Sequence, residues 1–370
     1  MRSVHSHVGQ DGRVTVDTRS YLWSGSYTSD AGGSGAGIEL LDAAVGRSLE
    51  SLGTAVEAPS PSFLATHPTA PVLYAVCEAA GVLRAYSVAA HAAGDRGPAL
   101  VQLGESWSTG EAGCHVAVDP RGRFAIVTCW GDGRVILFGL DTRGGIVSRT
   151  IAPAALDPHA HRNPAYPALG TARPSRAHSS LILPDGRILT TDLGFDVVRI
   201  WTHDPLQGLV RGGSVTLPFG SGPRHLARHR DGRVLVVSEY SVEVFTLAPG
   251  DDGGFELVHS TPAIEGGAAE GDAGAHIELS ADSTRAYVGV RGSNLIAVLS
   301  VDDEGAHPLE ASSSGGDWPR HHLVHDGLLR VAHERSSEIT TFALDAATGL
   351  IGEPVGSLAV GSPTCLVLAR

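Results

Sequence analysis

His115-Val-Ala-Val-Asp-Pro120 followed by Phe124-Ala-Ile-Val-Thr-Cys129 is a short apolar run, a turn built on Asp and Pro, and a second apolar run. Short segments rich in β-branched and aromatic residues, bounded by turn formers, read as two paired strands. The unit returns along the chain. Phe63-Leu-Ala-Thr-His-Pro68 precedes Val72-Leu-Tyr-Ala-Val-Cys77, Ser179-Ser-Leu-Ile-Leu-Pro184 precedes Arg187-Ile-Leu-Thr-Thr-Asp192, and His225-Leu-Ala-Arg-His-Arg230 precedes Arg233-Val-Leu-Val-Val-Ser238. Two more copies join His276-Ile-Glu-Leu-Ser-Ala281 to Arg285-Ala-Tyr-Val-Gly-Val290 and Arg320-His-His-Leu-Val-His325 to Leu328-Leu-Arg-Val-Ala-His333.

A third apolar run follows each hairpin, as at Val82–Val88, Val135–Leu140, Val197–Trp201, Val242–Leu247, Ile296–Val301 and Ile339–Leu344. Asp141 with Gly144 and Asp345 with Gly349 then supply turns into a fourth strand. The turn positions Pro68, Pro120, Pro184, Arg230, Ala281 and His325 are 52, 64, 46, 51 and 44 residues apart. That period is the one four-stranded propeller blades have. Ser362–Leu368 begins a seventh unit that the chain does not finish, and Tyr21–Tyr27 can supply its next strand. The fold expected is all-β: a seven-bladed β-propeller of four-stranded antiparallel blades, its ring closed by N- and C-terminal strands. A pair of β-sandwiches is the rival, and the similarity among units argues against it.

Residues 1–20 read as an N-terminal extension and 21–370 as a single propeller domain. The longest interval marks an insertion at about 153–176, rich in Pro and His, expected to form a rim or lid over one face.

The formal net charge is -13 and no Lys/Arg-rich run occurs, so the footprint of a nucleic-acid binder is missing. All 27 basic residues are arginine, which excludes lysine Schiff-base chemistry and a P-loop. Cys77, Cys114, Cys129 and Cys365 are far apart, without zinc spacing, and read as buried free thiols. His159-Ala-His161 lacks a full ligand set, Gly32-Gly-Ser-Gly-Ala-Gly37 opens no helical pattern, and no GxSxG is present. Neither a signal-peptide core nor a run of about 20 apolar residues is seen. The expectation is a cytoplasmic monomer or homodimer, with no membrane partner, metal or cofactor.

In an antiparallel pair, the start of the first strand and the end of the second share one sheet edge. Six residues before each turn position stand Ser62, Cys114, His178, Arg224, Ala275 and Pro319, and just after each second strand stand Glu78, Trp130, Leu193, Glu239, Arg291 and Glu334. His178, Arg224, Glu239 and Arg291 should therefore converge at the mouth of the central channel. A lining of structural ion pairs would give the same pattern.

Arg176-Ala-His178, Thr191-Asp-Leu-Gly-Phe-Asp196, Gly220-Ser-Gly-Pro-Arg-His225, Ser238-Glu239, Arg291-Gly292 and Pro319-Arg320 together resemble the lactonase family of seven-bladed propellers. That family includes propeller-type 6-phosphogluconolactonases and the fungal 3-carboxy-cis,cis-muconate lactonizing enzyme, and the resemblance runs from Gly25-Ser-Tyr-Thr28 to the C-terminal strand. It implies that His178, Arg224, Arg291 and Glu239 form the catalytic group. Glu78, His115, His225, Arg176, Arg320 and Glu334 are expected to bind substrate around it. The chain departs from the family pattern at Cys77, Cys129 and Val290, where Asn is usual, at Arg176, where a His is expected, and at Glu334 in place of Gln.

Ring opening of a lactone needs an activated water, a positive environment for the oxyanion and a proton for the departing alkoxide. Glu239 is assigned as base and His178 as acid, with Arg224 and Arg291 holding an anionic substrate and the oxyanion. The activity implied is hydrolysis of a small sugar-derived, anionic lactone in carbohydrate metabolism. A cycloisomerase acting on an unsaturated acid and a non-catalytic binding propeller are the alternatives.

Overall fold

The structure is a computed structural model, and it describes residues 6–8, 14–16, 20–44, 48–89, 97–160 and 173–369. Half of the expected insertion, residues 161–172, and much of the N-terminal extension lie outside the described residues. Seven antiparallel sheets follow one another from Tyr21 to Leu368. Blade 1 begins with Pro61–Thr66 and Val72–Cys77, blade 2 with Gly113–Val118 and Phe124–Cys129, and blade 3 with Ala177–Ile182 and Ile188–Asp192. Blades 4, 5 and 6 begin with Pro223–Arg228, Ala273–Leu279 and Pro319–His325, followed by Val234–Ser238, Arg285–Arg291 and Leu328–His333. Each blade runs inner, second, third, outer; in blade 1 the outer position is shared by Ala99–Gln102 and Trp107–Ser108.

Blade 7 is built from both chain ends, with Pro363–Leu368 innermost and Tyr21–Ser26, Gly37–Asp42 and Glu50–Glu57 outside it. The seam pairs Leu22 with Leu368, Trp23 with Val367 and Gly25 with Cys365. Each inner strand touches the inner strands of both neighbouring blades, so the ring is continuous. The all-β, seven-bladed architecture read from the repeat is the one observed.

Second strands are apolar on both faces, and the packing explains why. Alternate side chains of a strand point to opposite faces, so Val72, Tyr74 and Val76 pack toward blade 2 while Leu73 and Ala75 pack toward blade 7. Each of the seven inter-blade gaps holds one such apolar cluster. Each fully buried Val or Leu contributes about 1.5–3 kcal/mol of transfer free energy. Outer strands such as Ile146–Ile151 are mostly exposed. The core is thus a ring of seven wedges, which leaves the axial ends of the inner strands free to carry polar groups.

Candidate active site

Every inner strand is irregular near its start. Pairing with the second strand skips Ser62, Cys114, His178 with Ser179, Arg224, Ala275 with His276, and Arg320 in blades 1 to 6, and Thr364 in blade 7. A bulge re-aims the extra side chain. Six of these residues, Ser62, Cys114, His178, Arg224, Arg320 and Thr364, line one axial cavity with Phe63, His225 and His321. Its volume is about 10 Å³, on the scale of a single water molecule.

In blade 6 the bulge position belongs to Arg320, a correction to the sequence-based choice of Pro319, which is still paired with His333. The cause is local. Blade 6 turns through Asp326-Gly327, with φ of 52° and 72°, and this two-residue hairpin places His325 one position closer to the bulge than its counterparts.

A second layer forms the rim. The backbone N–H groups of Tyr27, Glu78, Trp130, Leu193, Glu239 and Glu334 donate to the carbonyls of Ser362, Ser60, Ala112, Arg176, Gly222 and Trp318. Arg291 holds the same place in blade 5, opposite Ala273. Tyr27 is therefore the seventh rim residue, one that the sequence reading missed. Four accepting residues, Ser60, Ala112, Trp318 and Ser362, adopt φ of 40°, 47°, 68° and 36°. Left-handed backbone at a non-glycine costs on the order of 1–3 kcal/mol, and recurrent strain of this kind gathers at functional sites.

Two ionic clusters connect the layers. The Glu239 carboxylate oxygen Oε2 accepts from Arg224 Nε at 2.8 Å and Arg291 Nη2 at 2.9 Å. Arg224 Nη1 also donates to the Ala275 carbonyl at 2.8 Å, and Arg291 Nη2 to that of Gly274 at 2.9 Å. Across the channel, Arg320 donates to Glu334 Oε2 at 2.8 Å and to the Tyr27 hydroxyl at 2.6 Å, and Tyr27 donates onward to Glu78 Oε2 at 2.9 Å. The glycine-rich segment secures Tyr27: a Cβ on Gly33 would lie 2.3 Å from the Tyr27 carbonyl oxygen, and one on Gly35 2.2 Å from Ser26 Oγ.

Burial lowers the Arg224 pKa to about 10, reinforced by Arg291. Burial works to raise the Glu239 carboxyl, but the guanidiniums of Arg224 and Arg291 outweigh it and hold the group below the ordinary carboxylate value. Burial also opposes the charge on Arg320; Tyr27, Glu334 and Glu78 overcome it and stabilise the guanidinium. The imidazoles go the other way. His178 and His225 are pushed well below 6.5, and His115 to about 3, by burial and then by Arg224. All three are neutral near pH 7. Ser62 Oγ, His178 Nδ1 and Thr364 Oγ1 are buried without a protein partner, a condition rare away from sites that bind water or ligand.

Eight of the ten site residues read from the sequence lie in these layers. His115 packs beneath the mouth, its ring 4.2 Å from Phe63 and 5.5 Å from His225. Arg176 stands apart: its guanidinium lies over the Trp130 ring at 4.1 Å and donates to the carbonyls of Trp130 and Gly131 at 3.0 and 2.8 Å. His159 hydrogen-bonds the Leu217 carbonyl at 3.1 Å, and His161 lies outside the described residues.

Residues 21–368 match the family described as "Lactonase, 7-bladed beta-propeller". The 6-phosphogluconolactonase of Bacillus subtilis is 26% identical over 314 residues, covering 83% of this chain and 86% of the relative. The structure of the periplasmic gluconolactonase of Pseudomonas aeruginosa superposes with a TM-score of 0.79 at 24% identity, covering 95% of this chain and 99% of that one. A protein from Lactobacillus plantarum gives a TM-score of 0.82 at 21% identity, with coverage of 95% and 99%.

Proposed function

The chain belongs to the lactonase family of seven-bladed β-propellers, and we propose that within lactone hydrolysis it opens a small, anionic, sugar-derived lactone by attack of a water held in the axial cavity. The observation that carries this reading is the cavity itself. It has room for one water, it is bounded by the unpartnered Ser62 Oγ, His178 Nδ1 and Thr364 Oγ1, and Arg224 lies in its wall.

The geometry favours exchanging the roles that the sequence suggested. His178 is neutral near pH 7, lines the cavity and has a ring nitrogen without a protein partner to accept a proton. Glu239 is outside the cavity lining, and one of its carboxylate oxygens is already shared by two arginines. In the proposed step, His178 removes a proton from the water as its oxygen bonds to the lactone carbonyl carbon. The Arg224 guanidinium stabilises the oxyanion. The tetrahedral intermediate then breaks the ring C–O bond, and the imidazolium returns its proton to the departing alkoxide. Glu239 holds Arg224 and Arg291 in position. Arg291 and Arg320 meet the anionic group of the substrate at the rim, where bidentate contact suits a carboxylate or phosphate.

The likeness to a 6-phosphogluconolactonase and the three clustered guanidiniums support a phosphorylated sugar lactone and a place in carbohydrate metabolism. Residence in the cytoplasm belongs to the same proposal, supported by four buried free cysteines. The test is a pH-stat comparison of 6-phosphogluconolactone with unphosphorylated gluconolactone. A kcat/KM at least ten times higher for the phosphorylated lactone is expected. Equal values, or a preference for the neutral lactone, would refute the anionic assignment while leaving lactone hydrolysis intact.

A further inference from the structure

Beside the reacting groups runs a column of imidazoles that the scheme above does not use. The ring of His276 lies 5.2 Å from His225, stacks on His321 at 4.0 Å and meets His322 edge-on at 4.6 Å. His276 and Glu278 are two apart on the inner strand of blade 5, and His322 comes from the adjoining inner strand of blade 6. One donor atom from each of these three residues lies within 4.8 Å of the other two. From this convergence we propose that His276, Glu278 and His322 bind one first-row divalent cation of the zinc class, bridging the inner strands of blades 5 and 6.

Two observations support the site. First, His276 Nδ1 and His322 Nε2 are buried without any protein partner, although imidazole nitrogens enclosed in protein are ordinarily satisfied. Second, the supporting hydrogen bonds are already in place. The Val324 N–H donates to Glu278 Oε2 at 2.8 Å and the Tyr287 backbone hydrogen-bonds the His322 ring. Metal-ligating His and carboxylate groups are oriented by such bonds on their far side.

Two imidazoles and one carboxylate match the His₂Glu set that zinc takes with an open fourth position, and cobalt and nickel accept the same donors. Calcium and magnesium, which prefer all-oxygen shells, do not fit. The site also has a structural consequence for the neighbouring cluster. Gly274 and Ala275, whose carbonyls hold Arg291 and Arg224, immediately precede His276. A cation there pins the segment on which both arginines rest.

The test uses the full-length protein, stripped with a strong chelator, exchanged into metal-free buffer and titrated with Zn²⁺ against a chromophoric competitor. One equivalent is expected to bind tightly and to raise the thermal unfolding midpoint; Co²⁺ in its place should give the visible d–d bands of a four- or five-coordinate centre. Glu278→Gln, which keeps shape and the acceptor for Val324, and His322→Gln should each weaken binding at least a hundredfold. His259 and His307, a ring pair 5.0 Å apart elsewhere, serve as the control, and His259→Gln should leave the affinity unchanged. Wild-type protein that binds no stoichiometric Zn²⁺ and gives no Co²⁺ bands would overturn the proposal, whether or not the variants fold. So would equal affinity in wild type and Glu278→Gln. Neither result depends on turnover of a lactone.

Discussion

Glu239→Gln separates the two assignments of the base. In the wild type one carboxylate oxygen accepts from Arg224 Nε at 2.8 Å and Arg291 Nη2 at 2.9 Å. The amide keeps the shape and one acceptor oxygen but removes the charge. Hydrogen bonds to a charged group contribute about 1.5–3 kcal/mol and neutral ones about 1 kcal/mol, so two weakened bonds should cost roughly 1–4 kcal/mol of stability. The lower end is favoured because both arginines keep a backbone carbonyl, on Ala275 and Gly274.

The catalytic consequence depends on what Glu239 does. If it positions the arginines while His178 takes the proton, kcat should fall by about tenfold, whereas loss of a general base costs on the order of 10²–10⁴-fold. His178→Gln should then show that larger loss. The measurement is kcat by pH-stat at fixed ionic strength, with the spontaneous rate subtracted, together with urea unfolding of each variant. The sign of the pH dependence follows from the depressed carboxyl. The pair's stabilisation is fully present above the ordinary carboxyl pKa of 4.5 and is lost as pH falls through the lower folded value. The stability gap between wild type and Glu239→Gln should therefore close in acid. A thousandfold loss of kcat in Glu239→Gln, with His178→Gln retaining most of the activity, would refute the role exchange.

Stability of the whole ring should also fall on acidification, beginning near pH 6.5. The imidazoles of His115, His178, His225, His276, His321 and His322 are all depressed by burial, so the unfolded chain takes up their protons first, at about 1.4 kcal/mol per imidazole per pH unit; urea midpoints unchanged between pH 7 and 5 would contradict this. Tyr27→Phe removes the hydroxyl between Arg320 and Glu78 and should cost about 2–4 kcal/mol in denaturant unfolding, with a raised KM; a change under about 0.5 kcal/mol, the range of an uninvolved surface substitution, would dismiss the link. Gly33→Ala sets a Cβ 2.3 Å from the Tyr27 carbonyl oxygen and should reproduce the KM defect without removing a polar group, whereas wild-type kinetics in a folded variant would show that the loop tolerates the displacement.

The fold was legible because each second strand serves two cores. Val72–Cys77 and Phe124–Cys129 are buried at every position, so they stand out as apolar runs, and their recurrence counts the blades. The convergence of His178, Arg224, Glu239 and Arg291 was legible for the related reason that strand starts and ends share one edge. Three features were not. Arg320 was displaced by one because the turn of blade 6 has fewer residues than the others. Tyr27 was passed over because its inner strand is contributed by the opposite chain end, although Ser26-Tyr27 stands where Cys77-Glu78 and His333-Glu334 stand in their blades. The His276, Glu278 and His322 group follows no helical metal spacing; a two-residue step on one strand meets a residue from the next blade, and only the ring closure shows which strands adjoin.

Protonation states are the part that no sequence pattern contains, and they decide the chemistry. His178 and Glu239 look interchangeable as acid and base when read from residue type. In the ring, Arg224 is neighbour to both, and its charge acts on them in opposite ways: it disfavours an imidazolium at His178 and favours a carboxylate at Glu239. One buried guanidinium therefore keeps the imidazole neutral near pH 7 and holds the carboxylate charged in an ion pair. The division between layers follows from the same geometry. Bulged residues, fixed by strand pairing, enclose a space suited to water, while the rim residues lie one hydrogen bond beyond the strands, where side chains can differ from blade to blade. Departures from the family pattern at Cys77, Cys129, Val290 and Glu334 all fall at second-strand ends or on the rim. Cys129 and Val290 are buried in the apolar clusters between blades, whereas Glu334 on the rim holds Arg320, so of these departures the Glu334 carboxylate is the one that touches the arginine cluster.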